Sequence, residues 1–161
     1  MDYQTNDKVE LCIRLTDMYV ESIIELLDNA YKLWILPYTV IFMLNTIKEQ
    51  IRTNRFEMVK YGTECLLDKE IKKTIINFDT SKLENLDSDF DDNVSVRTCI
   101  NKFSNYTKDS ESCEPNLILE LIIEIKNNAK KLQFKDRNKI KEHILSLVDI
   151  LENLENIFKK N

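Results

Sequence analysis

The scarcity of glycine is the feature that most constrains this sequence. Only one glycine, Gly62, occurs among 161 residues, together with two prolines, Pro37 and Pro115. Phosphate-binding loops, nucleophile elbows and dinucleotide-binding turns need glycine where the backbone approaches a ligand closely. Two-residue β-hairpins depend on it as well. The sequence therefore disfavours a β-rich fold and these enzyme classes, and we expect neither a cofactor nor catalysis.

Length and charge define the broad class of protein. A chain of 161 residues suits a single domain, which we place at residues 1–161. The net charge of −5 gives no overall field that would hold the protein on nucleic acid or an acidic membrane. The polar, acidic start predicts no secretory leader. The cysteines are then expected to be reduced, part-buried thiols, at Cys12, Cys65, Cys99 and Cys113.

Apolar residues recur at helical spacing through the first half of the chain. A first helix is predicted from an N-cap at Asp7 to the Leu36–Pro37 step, where proline disfavours helix. A second helix then runs from Pro37 to Ile51. A third, around residues 55–61, is predicted to end with Gly62 in the left-handed conformation.

The second half has a similar pattern. Helices are predicted over residues 65–78 and 94–106, and the apolar stripe from Ile140 to Phe158 predicts a packed helix at the end of the chain. The run LILELIIEI, which opens a helix over Leu117–Leu132, is apolar on nearly all sides, as expected of a helix covered by others. The predicted fold is thus all-α, with six to eight helices around this central helix.

The least polar stretch is YKLWILPYTVIFML, residues 31–44. Its uncharged core, Leu33–Leu44, is too short for a membrane span of about 20 residues and is interrupted by Pro37. We favour a buried helix–helix corner, because apolar clusters usually mean burial. The alternative is a partly exposed surface for a partner or a homodimer, anchored by Trp34, Tyr38 and Phe42.

Several polar groups invite a chemical interpretation. Carboxylates alternate in Asp87–Asn93 as in a calcium loop, but Asp92 and Thr98 stand where glycine and glutamate are required. A solvated acidic loop is therefore favoured. His143 is the only histidine and has no evident partner, so a surface or boundary position is predicted.

Two further groups have ordinary explanations. Glu120 and Glu124, four residues apart, could pair as catalytic carboxylates, but a solvated helix edge is favoured. The basic run Lys130–Lys141 could contact phosphate or an acidic partner, although a solvated loop with helix-terminal lysines is the commoner explanation. No metal site is predicted.

With these segments placed, the chain resembles the poxvirus Bcl-2-like family of intracellular host-response inhibitors. Glu21–Trp34 looks like the first helix of those proteins, and Met43–Gly62 is similar to their second helix and the helix after it. DDNVSVRTCINKF followed by LILELIIEI matches the order of their fourth and fifth helices. The Asn-Trp-Gly-Arg motif of cellular Bcl-2 proteins is absent.

The resemblance implies a single Bcl-2-like bundle and a non-enzymatic viral immunomodulator in the host cytoplasm. Its partners would be host signalling proteins of the NF-κB or interferon pathways, with a homodimer possible and with no nucleic acid or membrane anchor. The alternative is an anti-apoptotic protein that holds a death-motif helix in a groove. The candidate groove residues are Met43, Ile47, Phe56, Arg97 and Phe103.

Overall fold

The computed structural model describes residues 3–77, 124–125 and 127–159. In this part of the chain 88% of residues are helical and none lies in a strand, which confirms the all-α prediction. Residues 124–125 and 127–129 are helical. The helices with defined bounds are α1 Tyr3–Lys32, α2 Tyr38–Phe42, α3 Leu44–Thr53, α4 Arg55–Leu66, α5 Lys69–Asn77 and α6 Phe134–Lys159.

The two longest described helices, α1 and α6, form the main packing pair. They run antiparallel, because Ser22 of α1 contacts His143 of α6, while Tyr19 lies in one buried cluster with Leu151 and Leu154. Leu151 is completely buried. The helix α4 covers this pair, and its partly buried apolar side chains close the cluster.

The core continues towards the C-terminal end of α1 in two smaller clusters. One joins α1 to α3 through Val20, Ile24 and Ile51. The other surrounds the connection that follows α1, and Leu132 and Ile140 pack against it. Its buried members are Ala30, Ile35, Leu36 and Leu44. The apolar spacing of α1 therefore corresponds to a real buried face.

The boundaries of the early helices differ from the predictions. The first helix begins at Tyr3 rather than after Asp7, and it ends at Lys32, four residues before Leu36. The predicted second helix is divided at Met43, which leaves helical geometry with φ −102 and ψ 10. Apolar spacing predicted one continuous helix, because it records which side is buried and not where the backbone bends.

The two later helices begin where a hydrogen-bond acceptor is available for a backbone N–H of the first turn. The helix α5 begins at Lys69, because the carboxylate of Asp68 accepts a hydrogen bond from the Glu70 backbone N–H at 3.0 Å. The helix α6 begins at Phe134, and the Gln133 carbonyl accepts from the Arg137 N–H at 3.1 Å. The predicted start at Cys65 is therefore wrong, and the last helix begins six residues before Ile140, the first position of its apolar stripe.

Gly62 does not end a helix. It lies inside α4 and is buried, and its φ is not positive. A Cβ atom at this position would lie 2.1 Å from the Tyr19 Oη and 3.1 Å from a Leu151 methyl group. The glycine is therefore needed for close packing of α4 against α1 and α6, and the predicted left-handed cap at Gly62 is wrong.

The end of the predicted central helix is also displaced. Its helical residues stop at Ala129, and the Leu132 N–H then bonds to the Ala129 carbonyl at 3.1 Å in a turn. Predictions for residues 78–123, including most of the central helix, lie outside the described residues. Among the described helices, none combines the length and apolar character that a membrane span requires.

Candidate functional site

The backbone at the end of α1 forms a complete Schellman motif. The Ile35 N–H bonds to the Ala30 carbonyl at 3.1 Å, and the Trp34 N–H bonds to the Tyr31 carbonyl at 3.1 Å. These are the two hydrogen bonds that define the motif. Ala30 and Ile35 also share a buried cluster, which is the apolar contact that usually accompanies it. The helix thus ends at a fixed angle.

Trp34 occupies the left-handed position of this motif, with φ 60. Glycine is the usual residue there, because a Cβ atom in this conformation crowds the backbone. A left-handed L-residue costs roughly 1–2 kcal/mol. In the described residues Trp34 is the only non-glycine residue with positive φ. The strain is therefore located at a residue whose side chain faces solvent.

The corner that follows α1 has a buried inside and an exposed aromatic outside. Ile35, Leu36 and Pro37 are buried. Trp34 and Tyr38 are 79% and 78% exposed, and Phe42 is 83% exposed.

The structure therefore confirms a buried helix–helix corner but contradicts burial of the three aromatic side chains. We call Trp34, Tyr38 and Phe42 the aromatic corner. Tyr38 and Phe42 are four residues apart in α2 and share one face of this short helix. Periodicity missed this outcome because the cluster around Ile35, Leu36 and Leu44 already fills the space beneath the corner, and the rings are left outside.

A lysine-containing turn lies beside the aromatic corner. The Asn128 side chain donates a hydrogen bond to the Ile35 carbonyl at 3.2 Å. Leu132 packs into the cluster beneath the corner. Lys131 is exposed between them, and Lys135 is exposed in the first turn of α6. The basic run of the sequence is thus placed next to its most apolar stretch.

A cavity of about 320 Å³ lies between α1 and α6 at this same end. Lys32 and Leu33 from α1 and its C-terminal turn line it together with Asp136, Lys139 and His143 from α6. The cavity shows that the end of α1 and the start of α6 are neighbours. We call Lys32, which is exposed, together with Lys131 and Lys135, the lysine rim.

His143 has a partner that the sequence did not suggest. Its Nε2 lies 2.8 Å from the Ser22 backbone carbonyl and 3.1 Å from the Ser22 hydroxyl. A carbonyl oxygen can only accept, so Nε2 carries the proton. A protonated Nε2 cannot remove a proton from the hydroxyl, and the pair is an interhelical hydrogen bond rather than a nucleophile with its base.

The other predicted sites are only partly placed. Met43 and Phe56 of the candidate groove are 51% and 68% exposed, whereas Ile47 packs against the α1–α3 cluster. Arg97 and Phe103 lie outside the described residues, so the groove is not assembled here. The calcium-like tract and Glu120 also lie outside them.

The described residues also include two of the four cysteines and one of the two candidate carboxylates. Cys12 and Cys65 are free thiols, half-buried and buried, as predicted for them. Glu124 is exposed. In the described ranges no three His, Cys, Asp or Glu side chains are arranged to hold a metal ion. The aromatic corner is therefore the candidate site.

The chain matches no protein-family model, no curated protein and no solved structure.

Proposed function

We propose that this chain is a non-enzymatic binding protein, a viral immunomodulator that binds host proteins and inhibits innate immune signalling in the host cytoplasm. The observation that supports a binding role is the aromatic corner, where three large side chains are each about four-fifths exposed. Exposed aromatic clusters of this kind mark surfaces that contact another macromolecule. The host pathway comes from the resemblance to poxvirus Bcl-2-like proteins.

The geometry around His143 also supports binding rather than catalysis. Ser22 and His143 lie within hydrogen-bond distance of each other, and the bond to the Ser22 carbonyl requires a proton on His143 Nε2. The pair helps to fix the spacing of α1 and α6. A rigid helical scaffold that presents an apolar surface is suited to recognition of a protein.

The experiment is expression of the full chain in human cells that carry NF-κB and interferon-response reporters. We expect inhibition by the wild type and reduced inhibition when Trp34 and Phe42 are both replaced by alanine. Phe158→Ala is the matched control, since Phe158 is 66% exposed and lies about 36 Å along α6 from Phe134. Wild-type protein that is expressed and folded but leaves both reporters unchanged would contradict the proposal.

The alternative function is tested by calorimetric titration of the purified chain with a panel of death-motif peptides. We expect no submicromolar binding. Binding at that strength, together with unchanged reporters, would replace inhibition of signalling by an anti-apoptotic role.

A further inference from the structure

We propose that the end of the bundle formed by the aromatic corner and the lysine rim docks on an anionic lipid bilayer. In the docked state the three rings enter the headgroup region, and the lysines of the rim contact lipid phosphates. The inference names a different occupant for the aromatic corner than the proposed function does, and the vesicle and reporter experiments test the two separately.

The aromatic corner has the composition of a membrane-interface anchor. Residues 33–47 contain no charged side chain, and Trp34, Tyr38 and Phe42 project from this segment. Tryptophan and tyrosine favour the bilayer interface because each has an apolar body and a polar group that stays hydrated. The rings expose about four-fifths of their surface, so they can enter a soft interface without any rearrangement of the fold.

The charge around the corner is complementary to anionic headgroups. The segments that meet here, residues 29–47 and 127–135, contain four lysines and no acidic residue. Asp136 follows directly and lines the same cavity as Lys32 and Lys139, and the local charge stays positive when this carboxylate is included. The whole chain carries −5, so the rest of the molecule is strongly acidic. Surface charges act over about 8–10 Å at physiological salt, and a bilayer that meets this end therefore encounters the local positive charge first.

Two other occupants fit these observations less well. In a symmetric dimer formed through the corner, the lysine rim of one copy would face the rim of the other, and this repulsion opposes association. Single-stranded nucleic acid stacks its bases on rings that line a basic groove. Rings with only about a fifth of their surface covered project from the protein rather than line a groove.

The experiment uses the full chain and lipid vesicles. Trp34 is the only tryptophan, so its fluorescence reports on the corner directly. We expect a blue shift, and sedimentation with the vesicles, for equal parts of phosphatidylcholine and phosphatidylserine. Vesicles of phosphatidylcholine alone should bind much more weakly, and high salt should release the protein from the anionic vesicles.

Two pairs of variants test the two parts of the surface. Phe42→Ser should weaken partitioning at least tenfold, whereas Phe158→Ser should leave it unchanged. Lys131→Gln should weaken it about fivefold, with Lys60→Gln on the exposed face of α4 as its control. Circular dichroism checks that each variant is folded, and Tyr38→Ser replaces Phe42→Ser if the latter is not.

Three results would overturn the inference. The first is wild-type protein that does not sediment with the anionic vesicles. The second is a blue shift that grows with protein concentration without lipid and is abolished by Phe42→Ser, which would assign the corner to a second copy of the chain. The third is tight binding of a single-stranded oligonucleotide that displaces the protein from vesicles.

Discussion

Replacement of Gly62 by alanine tests the packing of the core most directly. In an ordinary helix this change stabilises by about 1 kcal/mol, because alanine has the higher helix propensity. Here the new Cβ atom would lie 2.1 Å from the Tyr19 Oη and 2.9 Å from its Cζ. Tyr19 is only 3% exposed and cannot swing into solvent. Overpacking of this kind costs about 1–3 kcal/mol.

The clash should exceed the gain in helix propensity. We expect Gly62→Ala to lower the free energy of unfolding by up to about 2 kcal/mol, which corresponds to a fall in Tm of up to roughly 8 °C for a chain of this size. The assay is urea unfolding followed by far-ultraviolet circular dichroism. Lys60→Ala, at an exposed position in the same helix, is the control and should change stability by less than about 0.5 kcal/mol.

A double-mutant cycle with Tyr19→Phe identifies the cause. The phenylalanine ring lacks the hydroxyl that makes the closest contact, so Gly62→Ala should cost at least about 1 kcal/mol less in that background. A left-handed glycine at a helix end would also make alanine unfavourable, but the cost would not depend on residue 19. An unchanged cost in the Tyr19→Phe background, or a stabilising Gly62→Ala, would refute the packing explanation.

Three other predictions follow from the described residues. Trp34→Gly should raise the free energy of unfolding by about 1 kcal/mol in urea unfolding, because glycine adopts the left-handed conformation without strain; a loss of stability would contradict this. Tyr38→Asp should leave Tm nearly unchanged in thermal melts, since Tyr38 is 78% exposed; a large fall in Tm would restore the core interpretation. Burial, followed by the charge of Cys65, raises the pKa of Tyr19 above its ordinary value of 10.0, so the contribution of Tyr19 to stability should be constant below pH 10.0 and fall as the pH rises beyond it; in thermal melts Tyr19→Phe should lose less stability above pH 10.0 than the wild type, and an equal loss would contradict this.

The sequence predicted the fold class because buried apolar side chains recur along the chain with the period of an α-helix. Val20, Ile24 and Leu27 recur at helical spacing and do pack inwards, and Pro37 marks a real corner. Boundaries were harder, since they depend on single hydrogen bonds. The Asp68 carboxylate determines where α5 begins, and apolar spacing contains no record of that contact.

The candidate site was predicted only in part. The sequence singled out the stretch around Pro37, but hydrophobicity alone could not distinguish the buried Ile35 and Leu36 from the exposed Trp34. The placement of the basic run beside this stretch depends on the Asn128–Ile35 hydrogen bond, which joins residues 93 positions apart. Contacts of that kind arise only when the whole chain has folded.

The only glycine and the only tryptophan each occupy a position that stability alone would not favour. Stability alone would favour glycine at the left-handed end of α1 and would bury tryptophan in the core. In this chain the glycine is used inside α4, where Tyr19 approaches closely, and tryptophan occupies the strained, exposed position. Strained backbone conformations of this type cluster at active sites, ligand-binding sites and switch regions. The strained, exposed position of Trp34 therefore supports the proposal that the aromatic corner is a binding surface, independently of the resemblance and of the lysine rim.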